Sequence, residues 1–294
     1  MNSGSTYKKT TYQSAEEFRK NIASYGFYNQ FNRKIYKKVI EALPDRELAF
    51  IVDGMSNKGK VGLGILERYN KEKPKARTRL AVIFNDILYE HLEPLYQKSY
   101  EIIHGDIRDL HKSGAKPDIV VVRFGIKDLP KIGMRYGIED LQKSEQVAAL
   151  QSIHNSLIAG GTFVLADMAA YTMQAQEGII KVHAAKQIYE GRDEGEEGRC
   201  HIPTNLEWIE LLNKAGFKDS NMKIYHYRSR VNTKQWKGQF GEDADDAALI
   251  QELNSVIRHE AKNNPVFARE CNVKFVGQQV FISFPTIVIS AIKG

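Results

Sequence analysis

The sequence predicts an α/β protein with a seven-stranded, mostly parallel sheet and helices on both of its faces. Short apolar runs alternate with segments of helical spacing from about residue 45 onwards, which is the order of elements that builds such a sheet. The run PDIVVVRF (117–124) is apolar through its centre, as is typical of an inner parallel strand that is buried on both faces. Polar, glycine-containing turns follow the strands, at the edge of the sheet where ligands of this fold class bind.

The elements can be placed in order along the chain. Residues 15–43 show helical spacing around Gly26, and Pro44 ends that region. The helix at 205–217 is closed by Gly216, which suits the position after a helix C-terminus. The predicted strands are 49–53, 79–86, 100–106, 117–124, 160–167, 222–231 and 281–292, and the other predicted helices are 59–69, a segment that begins at 91 (HLEPLY), 139–158 and 242–264.

Two longer segments are harder to interpret. Residues 168–202 end in the acidic, glycine-rich stretch EGRDEGEEGRC and form either a lid or a surface excursion. Residues 232–280 contain a predicted helix, but nothing in their pattern decides whether they shape a substrate site or form a contact in a homodimer. Both alternatives stay open for each segment.

Composition and charge restrict the class of protein. The chain of 294 residues carries a formal net charge of +6, but its lysines and arginines are spread along its length and an acidic run, Glu190 to Glu197, interrupts any basic surface. This pattern argues against a nucleic-acid partner. No apolar stretch approaches the ~20 residues that span a bilayer, and the N-terminus lacks the apolar core of a signal peptide. We expect a soluble, cytoplasmic protein without a membrane segment.

The cysteines and histidines do not suggest a metal site. Cys200 and Cys271 lie far apart and form neither a CxxC pair nor the spacing of a zinc site. The sequence also has no HxH or HExxH pattern and no carboxylate pair that suggests a metal. We therefore expect two reduced structural thiols and no metal.

The chemistry-bearing residues follow the strands, beginning with the first two. The first strand leads into Asp53-Gly54-Met55-Ser56-Asn57-Lys58-Gly59, in which the carboxylate can receive an ammonium group and the backbone N–H groups a carboxylate. The second strand ends in Asn85-Asp86-Ile87, where a carboxylate can accept both hydroxyl groups of a ribose. An ordinary βα turn and a helix-capping aspartate are the respective alternatives.

The third and fourth strands end in a similar way. The third is followed by Gly105-Asp106-Ile107-Arg108, in which the aspartate can accept a hydrogen bond from the amino group of adenine while Ile107 packs on the ring. The fourth ends in Arg123-Phe124-Gly125, where the reactive end of a cofactor would meet its substrate. Four such elements in order are more specific than any one of them.

Together these elements resemble the class I methyltransferases that depend on S-adenosyl-L-methionine (SAM). The resemblance covers about residues 45–230 and the final strand. The first motif of that family has the form D-x-G-x-G-x-G, and Asp53 and Gly59 match its two ends. Further matching segments are GDIRDL (105–110, the adenine side), PDIVVVRFGIKDLP (117–130, the fourth strand), SLIAGGTFVLAD (156–167, the fifth strand) and NLEWIELLNKAGF (205–217, a late helix).

The resemblance implies a Rossmann-like, SAM-binding methyltransferase domain over residues 45–294, with insertions near 168–202 and 232–280, and a helical lid over residues 1–44. It implies SAM as cofactor, S-adenosyl-L-homocysteine (SAH) as product, and methyl transfer to O or N of a small, partly apolar metabolite. The site then needs mainly to hold the acceptor in line with the methyl group. The implied cofactor-binding residues are Asp53, Gly54, Met55, Ser56, Gly59, Asp86, Ile87, Asp106, Ile107, Arg123 and Phe124.

One departure from the family pattern concerns the first motif. Met55 and Asn57 replace two of its glycines, which normally allow close backbone approach and unusual dihedral angles. Asn57 tolerates a left-handed backbone, whereas Met55 would project a side chain near the ligand. We expect an altered cofactor loop. Reduced SAM affinity, or a non-methylating binding protein or cyclase-type enzyme on the same fold, stays open, as does methylation of RNA or protein.

The substrate side is less well marked. Tyr25 and Tyr28 are the predicted contacts of the N-terminal lid. Met168 and Tyr171 follow the fifth strand and suit an apolar substrate pocket, although packing on a helix face explains them equally well. His183 is the preferred candidate for a general base, and a histidine on a helix surface is the alternative.

Overall fold

The computed structural model describes residues 26–74, 76–129, 144–189, 201–232 and 246–294, and the side chains of 26–30, 186–189, 229–232 and 246–249 lie outside the description. The strands are β1 Leu48–Gly54, β2 Arg79–Asp86, β3 Glu101–His104, β4 Ile119–Arg123, β5 Thr162–Met168, β6 Met222–Asn232, β7 Lys274–Val276 and β8 Gln279–Ile292. The α-helices are α1 Gly26–Glu41, α2 Lys60–Glu72, α3 Tyr89–Tyr96, α4 Glu145–Ser156, α5 Met173–Tyr189, α6 Asn205–Lys214, α7 Asp246–Asn263 and α8 Pro265–Glu270. Short 3₁₀ helices lie at Ile107–Ser113, Ile126–Asp128 and Asp219–Asn221.

The strands form one mixed sheet in the order β3-β2-β1-β4-β5-β8-β6. The strands β1 to β5 run parallel, and β8 runs antiparallel to both of its neighbours, β5 and β6. The strand order reverses between β1 and β4, so the chain leaves these two strands in opposite directions and opens a crevice at their carboxyl ends. The predicted α/β class with a mostly parallel sheet is confirmed.

The structure adds a short eighth strand, β7, which pairs with the beginning of β8. A turn with Gly277 at a positive φ of 57° joins the two strands. All three residues of β7 are exposed, so the strand has no alternation of buried and exposed positions by which the sequence could reveal it.

Apolar residues on both faces of the inner strands hold the helices to the sheet. Every residue of β5 is buried, and so are the first four residues of β4. One face is covered by α1, α2 and α3, and the other by α4, α6 and the 3₁₀ helix 107–113. This arrangement explains why the inner strands read as continuous apolar runs.

The helix α1 packs directly on the sheet. Phe31, Ile35 and Val39 follow helical spacing and are fully buried on the face that α1 shares with α2 and α3. The ring of Tyr36 lies against Gly64 of α2, where a larger residue would collide with it. The predicted lid contacts are not in view: Tyr25 lies outside the described residues, and only the backbone of Tyr28 is described.

Helices α5, α7 and α8 and the first half of β8 form a third apolar cluster, called the cap below. Gly178 of α5 allows the ring of Phe267 to approach, since a Cβ at Gly178 would lie 2.6 Å from that ring. Much of the segment 168–202 is thus the packed helix α5, and residues 190–200 lie outside the described part. The buried residues of the cap are Met168, Ala170, Ile179, Val182, Ile202, Leu253, Ile257, Phe267, Cys271, Val280, Ile282 and Phe284.

Cys271 is a free, buried thiol of the cap, and burial raises its pKa far above the usual range. Cys200 falls outside the described residues. Among the residues that the structure describes, none of the helices is long and apolar enough to cross a membrane.

Candidate cofactor site

The four predicted positions lie in order along the carboxyl edge of the parallel strands. Asp53 is the penultimate residue of β1, Asp86 ends β2, and Arg123 ends β4. Asp106 follows β3 by two residues and begins a 3₁₀ helix. Parallel strands place their carboxyl ends at one edge, so the sheet brings these side chains around the crevice between β1 and β4.

The loop after β1 keeps the backbone of a glycine-rich loop although two glycines are replaced. Met55, Asn57 and Gly59, which stand at the three motif positions, all have left-handed backbones, with φ of 52°, 51° and 71°. The amide of Asn57 donates to Asp86 Oδ2 at 2.7 Å, which ties the loop to the end of β2. Glycine is required at Gly59 because a Cβ there would lie within 2.9 Å of neighbouring apolar side chains. The loop therefore differs from the family's glycine-rich loop in its side chains and not in its backbone conformation.

The side chain of Met55 lies against Gly125. A Cβ placed on Gly125 would lie 2.5 Å from the Met55 sulfur and 3.1 Å from both its Cβ and its methyl carbon. The side chain is half-buried and packs on the apolar core beneath the crevice. Met55 and Gly125 thus form a matched large-and-small pair that joins the β1 loop to the β4 loop.

Asp53 is buried beneath this loop. One of its carboxylate oxygens accepts a hydrogen bond from the amide of Gly62, in the first turn of α2, at 2.7 Å. Burial raises the pKa of Asp53 to about 7, and the nearby Arg123 opposes this shift. The carboxyl group therefore titrates near neutral pH, and a cation bound beside it would favour its ionised form.

The end of β4 is in contact with α1. Arg123 Nη1 donates to Asn32 Oδ1 at 2.8 Å, and the ring of Phe124 stacks on Phe31 with centroids 5.1 Å apart. Phe124 itself has a left-handed backbone, with φ of 54°. The sequence did not point to Asn32, because the contact joins positions 91 residues apart and no local pattern marks it.

Asp86 is held as an anion at the end of β2. Its second oxygen accepts from the amide of Leu88 at 3.0 Å and lies 3.2 Å from His91 Nδ1. Burial acts to raise the pKa of Asp86, but His91 and the amides of Leu88 and Asn57 outweigh it and lower the pKa. Next to it, the side chain of Ile87 is 56% exposed. An ionised acceptor beside an exposed apolar side chain suits a ribose and the base attached to it.

Asp106 already has a cationic partner. It accepts from the amide of Arg108 at 2.8 Å and pairs with the Arg108 guanidinium, which also pairs with Glu145 of α4. Burial acts to raise the pKa of Asp106, but Arg108 outweighs it and lowers the pKa. Ile107 is buried and lies directly under Gly54, since a Cβ on Gly54 would approach it to 2.9 Å.

Comparison with known proteins bears on the architecture. No family model matches the chain, and no curated protein matches it. Among solved structures, the YcgJ protein of Bacillus subtilis matches with a TM-score of 0.62 at 13% identity, over 89% of this chain and 98% of that one. A candidate methyltransferase of Bacillus halodurans C-125, BH2331, matches with a TM-score of 0.62 at 14% identity, over 88% and 98% of the two chains. A candidate sarcosine dimethylglycine methyltransferase of Galdieria sulphuraria matches with a TM-score of 0.50 at 8% identity, over 89% and 85%.

The chain has the class I methyltransferase fold. The strand order, the crevice between β1 and β4, and the antiparallel β8 all belong to this architecture. At these identities the likeness is one of fold, so function has to be argued from the residues of the site.

The predicted substrate and catalytic residues whose side chains the structure describes are Met168 at the end of β5, Tyr171 just after it, and His183 in α5. Met168 is buried in the cap cluster. Tyr171 is half-buried, with its ring edge-to-face to His226 at 5.7 Å and the Arg228 guanidinium 5.8 Å from its centroid. His183 is a half-buried residue of α5, whose neighbours in the fold are α7 and α8. These residues are thus spread over the cap side of the sheet.

A buried ionic group that the sequence did not suggest lies between β4 and β5. Asp167, fully buried at the end of β5, accepts from the amides of Met168 at 2.8 Å and Lys127 at 3.2 Å. Burial raises its pKa to about 7, against the effect of Lys127. The Lys127 ammonium is buried and donates to Asp128 Oδ1 at 2.6 Å and to the carbonyl of Phe124 at 3.4 Å. This ionic group stabilises the turn after β4. The sequence of that turn, GIKDLP, is polar and is typical of a solvent-exposed turn, so it did not indicate that Lys127 is buried.

The described residues contain no group of three or more histidine, cysteine or acidic side chains that could hold a metal ion.

Proposed function

We propose that the chain is a SAM-dependent methyltransferase that transfers a methyl group to O or N of a small, partly apolar metabolite. The observation that carries the proposal is the set of acidic and backbone groups at the carboxyl ends of β1, β2 and β3, gathered around a loop with left-handed backbone at three motif positions. Such a set can hold an amino-acid group, a ribose and an adenine in that order.

Each of these residues has a role in holding the cofactor. Asp53 would attract its ammonium group, and the amides at the start of α2 would face its carboxylate. Asp86 would accept the ribose hydroxyls, and Asp106 the adenine amino group, once Arg108 moves towards Glu145, with which it is already paired. The cofactor supplies an activated methyl group on a sulfonium, and the protein supplies position and charge.

The acceptor would be held at the end of β4. The half-buried Phe124 stacks there on the buried Phe31, and Met168 belongs to the apolar cap cluster beside β5, which supports an apolar substrate. Asn32 and Phe31 join α1, which is packed on the sheet, to the end of β4, so the lid that we propose within residues 1–44 would have its moving part before α1. We propose His183 as the base for a protonated acceptor; a carboxylate or phenolate acceptor would not need it.

Calorimetric titration of the purified protein with SAM and SAH tests the proposal. We expect micromolar binding of both ligands, and a loss of about 10- to 100-fold in affinity for Asp86→Ala and for Asp106→Ala, because each removes hydrogen bonds to a charged acceptor. Asp109→Ala is the matched control, since Asp109 lies in the same 3₁₀ helix and pairs with Lys112 at the surface.

Unchanged thermal melting of the three variants would show that the losses are local. Equal binding by all four proteins would contradict the assignment of the site. A lack of binding at millimolar ligand would indicate a fold used for other chemistry.

A further inference from the structure

The crevice at the strand-order reversal, where a ligand of this fold would lie, is bridged by a side chain of the protein itself. The loop after β1 has the backbone of a glycine-rich loop. The Met55 side chain therefore occupies space that is free of any side chain when glycine stands at this motif position. The whole side chain, from its Cβ to its methyl group, lies against Gly125 of the β4 loop. Met55 follows Asp53 by two residues, at the amino-acid end of the proposed site, whereas Asp86 and Asp106, at the nucleoside end, belong to β2 and to the 3₁₀ helix after β3.

We propose that Met55 acts as a gate at the amino-acid end of the crevice and sets the selectivity of the site between ligands that carry the amino-acid group and ligands that lack it. The proposal rests on the function proposed above. A ligand such as SAM or SAH must displace the Met55 side chain from Gly125, whereas 5′-methylthioadenosine, which keeps the nucleoside and loses the amino-acid group, need not.

The chemistry of methionine suits such movement. Its side chain is unbranched and flexible, so its sulfur and methyl group can leave Gly125 by rotation about the side-chain bonds while the left-handed backbone and the Cβ stay in place. The gate is closed by apolar contacts with Gly125 and the core below it, and no hydrogen bond of the loop has to break when it opens.

The size of the effect follows from the fraction of molecules with an open crevice. If the open form is populated at about one in ten, the apparent affinity for SAH is reduced by about tenfold, and removal of the gate restores it. We therefore expect Met55→Ala and Met55→Gly to bind SAH about tenfold more tightly than the wild type, and 5′-methylthioadenosine with a change of less than about twofold.

Two variants are needed at position 55 because they separate side chain from backbone. Met55→Ala removes the sulfur and methyl group but keeps a Cβ at a residue with positive φ. Met55→Gly also removes the backbone strain that a Cβ causes in this left-handed conformation. Tighter SAH binding by both variants would assign the effect to the side chain. Met173→Ala is the matched control for loss of a methionine, since Met173 is 73% exposed at the start of α5.

A second measurement tests the Met55–Gly125 contact without any ligand. Gly125 has an ordinary negative φ of −115°, so alanine is acceptable to its backbone, but the added Cβ would collide with the Met55 sulfur. We expect Gly125→Ala to lower the melting temperature of the wild type and to leave that of Met55→Gly unchanged, because only glycine at position 55 also removes the Met55 Cβ, which would lie 3.1 Å from the added Cβ. An equal decrease in both backgrounds would overturn the contact, and the gate with it.

The outcomes of the titrations are distinct. Tighter SAH binding with unchanged binding of 5′-methylthioadenosine supports the gate. Unchanged or weaker SAH binding by Met55→Ala and Met55→Gly, or an equal gain for both ligands, would overturn the gate and leave the proposed function standing. Absence of SAH binding in every variant would overturn the proposed function and the gate together.

Discussion

The half of the sheet formed by β1 to β4 ends in polar side chains, whereas the half formed by β5, β8 and β6 ends beneath the apolar cap. In the first half, Asp53 and Asp86 at the ends of their strands and Asp106 just after β3 lie at one edge. In the second half, α5, α7 and α8 pack over the strands through aliphatic and aromatic side chains. We infer that the first half holds the cofactor and that the second contributes stability and the shape of the substrate site.

The largest expected effect comes from the cap. Phe267 of α8 is fully buried and lies against Gly178 of α5, so Phe267→Ala should lower the free energy of unfolding by about 3–5 kcal/mol. Urea unfolding measures this loss. The SAH affinity of the folded variant should change by less than about twofold, because the removed ring is not part of the cofactor half. A parallel loss of affinity would mean that the two halves do not act separately.

A smaller effect concerns Asp53 and the pH. Its pKa is raised to about 7, so the carboxyl group is mostly protonated at pH 6 and mostly ionised at pH 7.5. Because the ionised form attracts the ammonium group of SAM, affinity should rise by about five- to sixfold between these pH values, which allows for the part of the α-amino groups that have lost their proton at pH 7.5. Titration calorimetry at both pH values measures the change, and Asp53→Asn should abolish it.

Asp167→Asn is the control from the other half of the sheet. Asp167 is also fully buried with a pKa of about 7, but it lies at the end of β5. The variant should keep the rise in SAM affinity with pH. If Asp167→Asn abolished the rise and Asp53→Asn kept it, the assignment of the ammonium site to Asp53 would be wrong.

The smallest effect compares two asparagines with left-handed backbones. Asn57 lies in the cofactor loop and Asn272 follows α8 in the cap, with φ of 51° and 43°. Replacement of either by glycine should change the free energy of unfolding by less than about 1 kcal/mol, because both residue types accept this conformation. SAH affinity should also change little in Asn57→Gly, since the amide that binds Asp86 is kept. A large loss would show that the Asn57 side chain itself contacts the ligand.

The two halves also differ in how well the sequence predicts them. The strands of the first half are apolar runs, and the residue after each run is placed at one edge by the parallel arrangement, so Asp53, Asp86 and Asp106 could be predicted from their positions alone. The predicted bounds of β2 agree with the structure, and those of β1 differ by one residue at each end.

The features that escaped prediction depend on contacts between distant residues. Asn32 meets Arg123, and Arg108 meets Glu145, across separations of 91 and 37 residues. The sequence predicted that the Met55 side chain projects near the ligand, but its contact with Gly125 joins two loops 70 residues apart, and a sequence pattern does not report such a contact. In the cap, α5 and α8 find their partners only in the folded chain, so the segment 168–202 gave no clear indication of its packing.

A crystal structure of the protein with SAH would test most directly that the β1–β4 crevice is a cofactor site. We expect the ribose hydroxyl groups within hydrogen-bonding distance of the Asp86 carboxylate, the adenine amino group facing Asp106, and the Met55 side chain moved away from Gly125. SAH bound elsewhere, with Asp86 still held only by Asn57, Leu88 and His91, would contradict the assignment of the site.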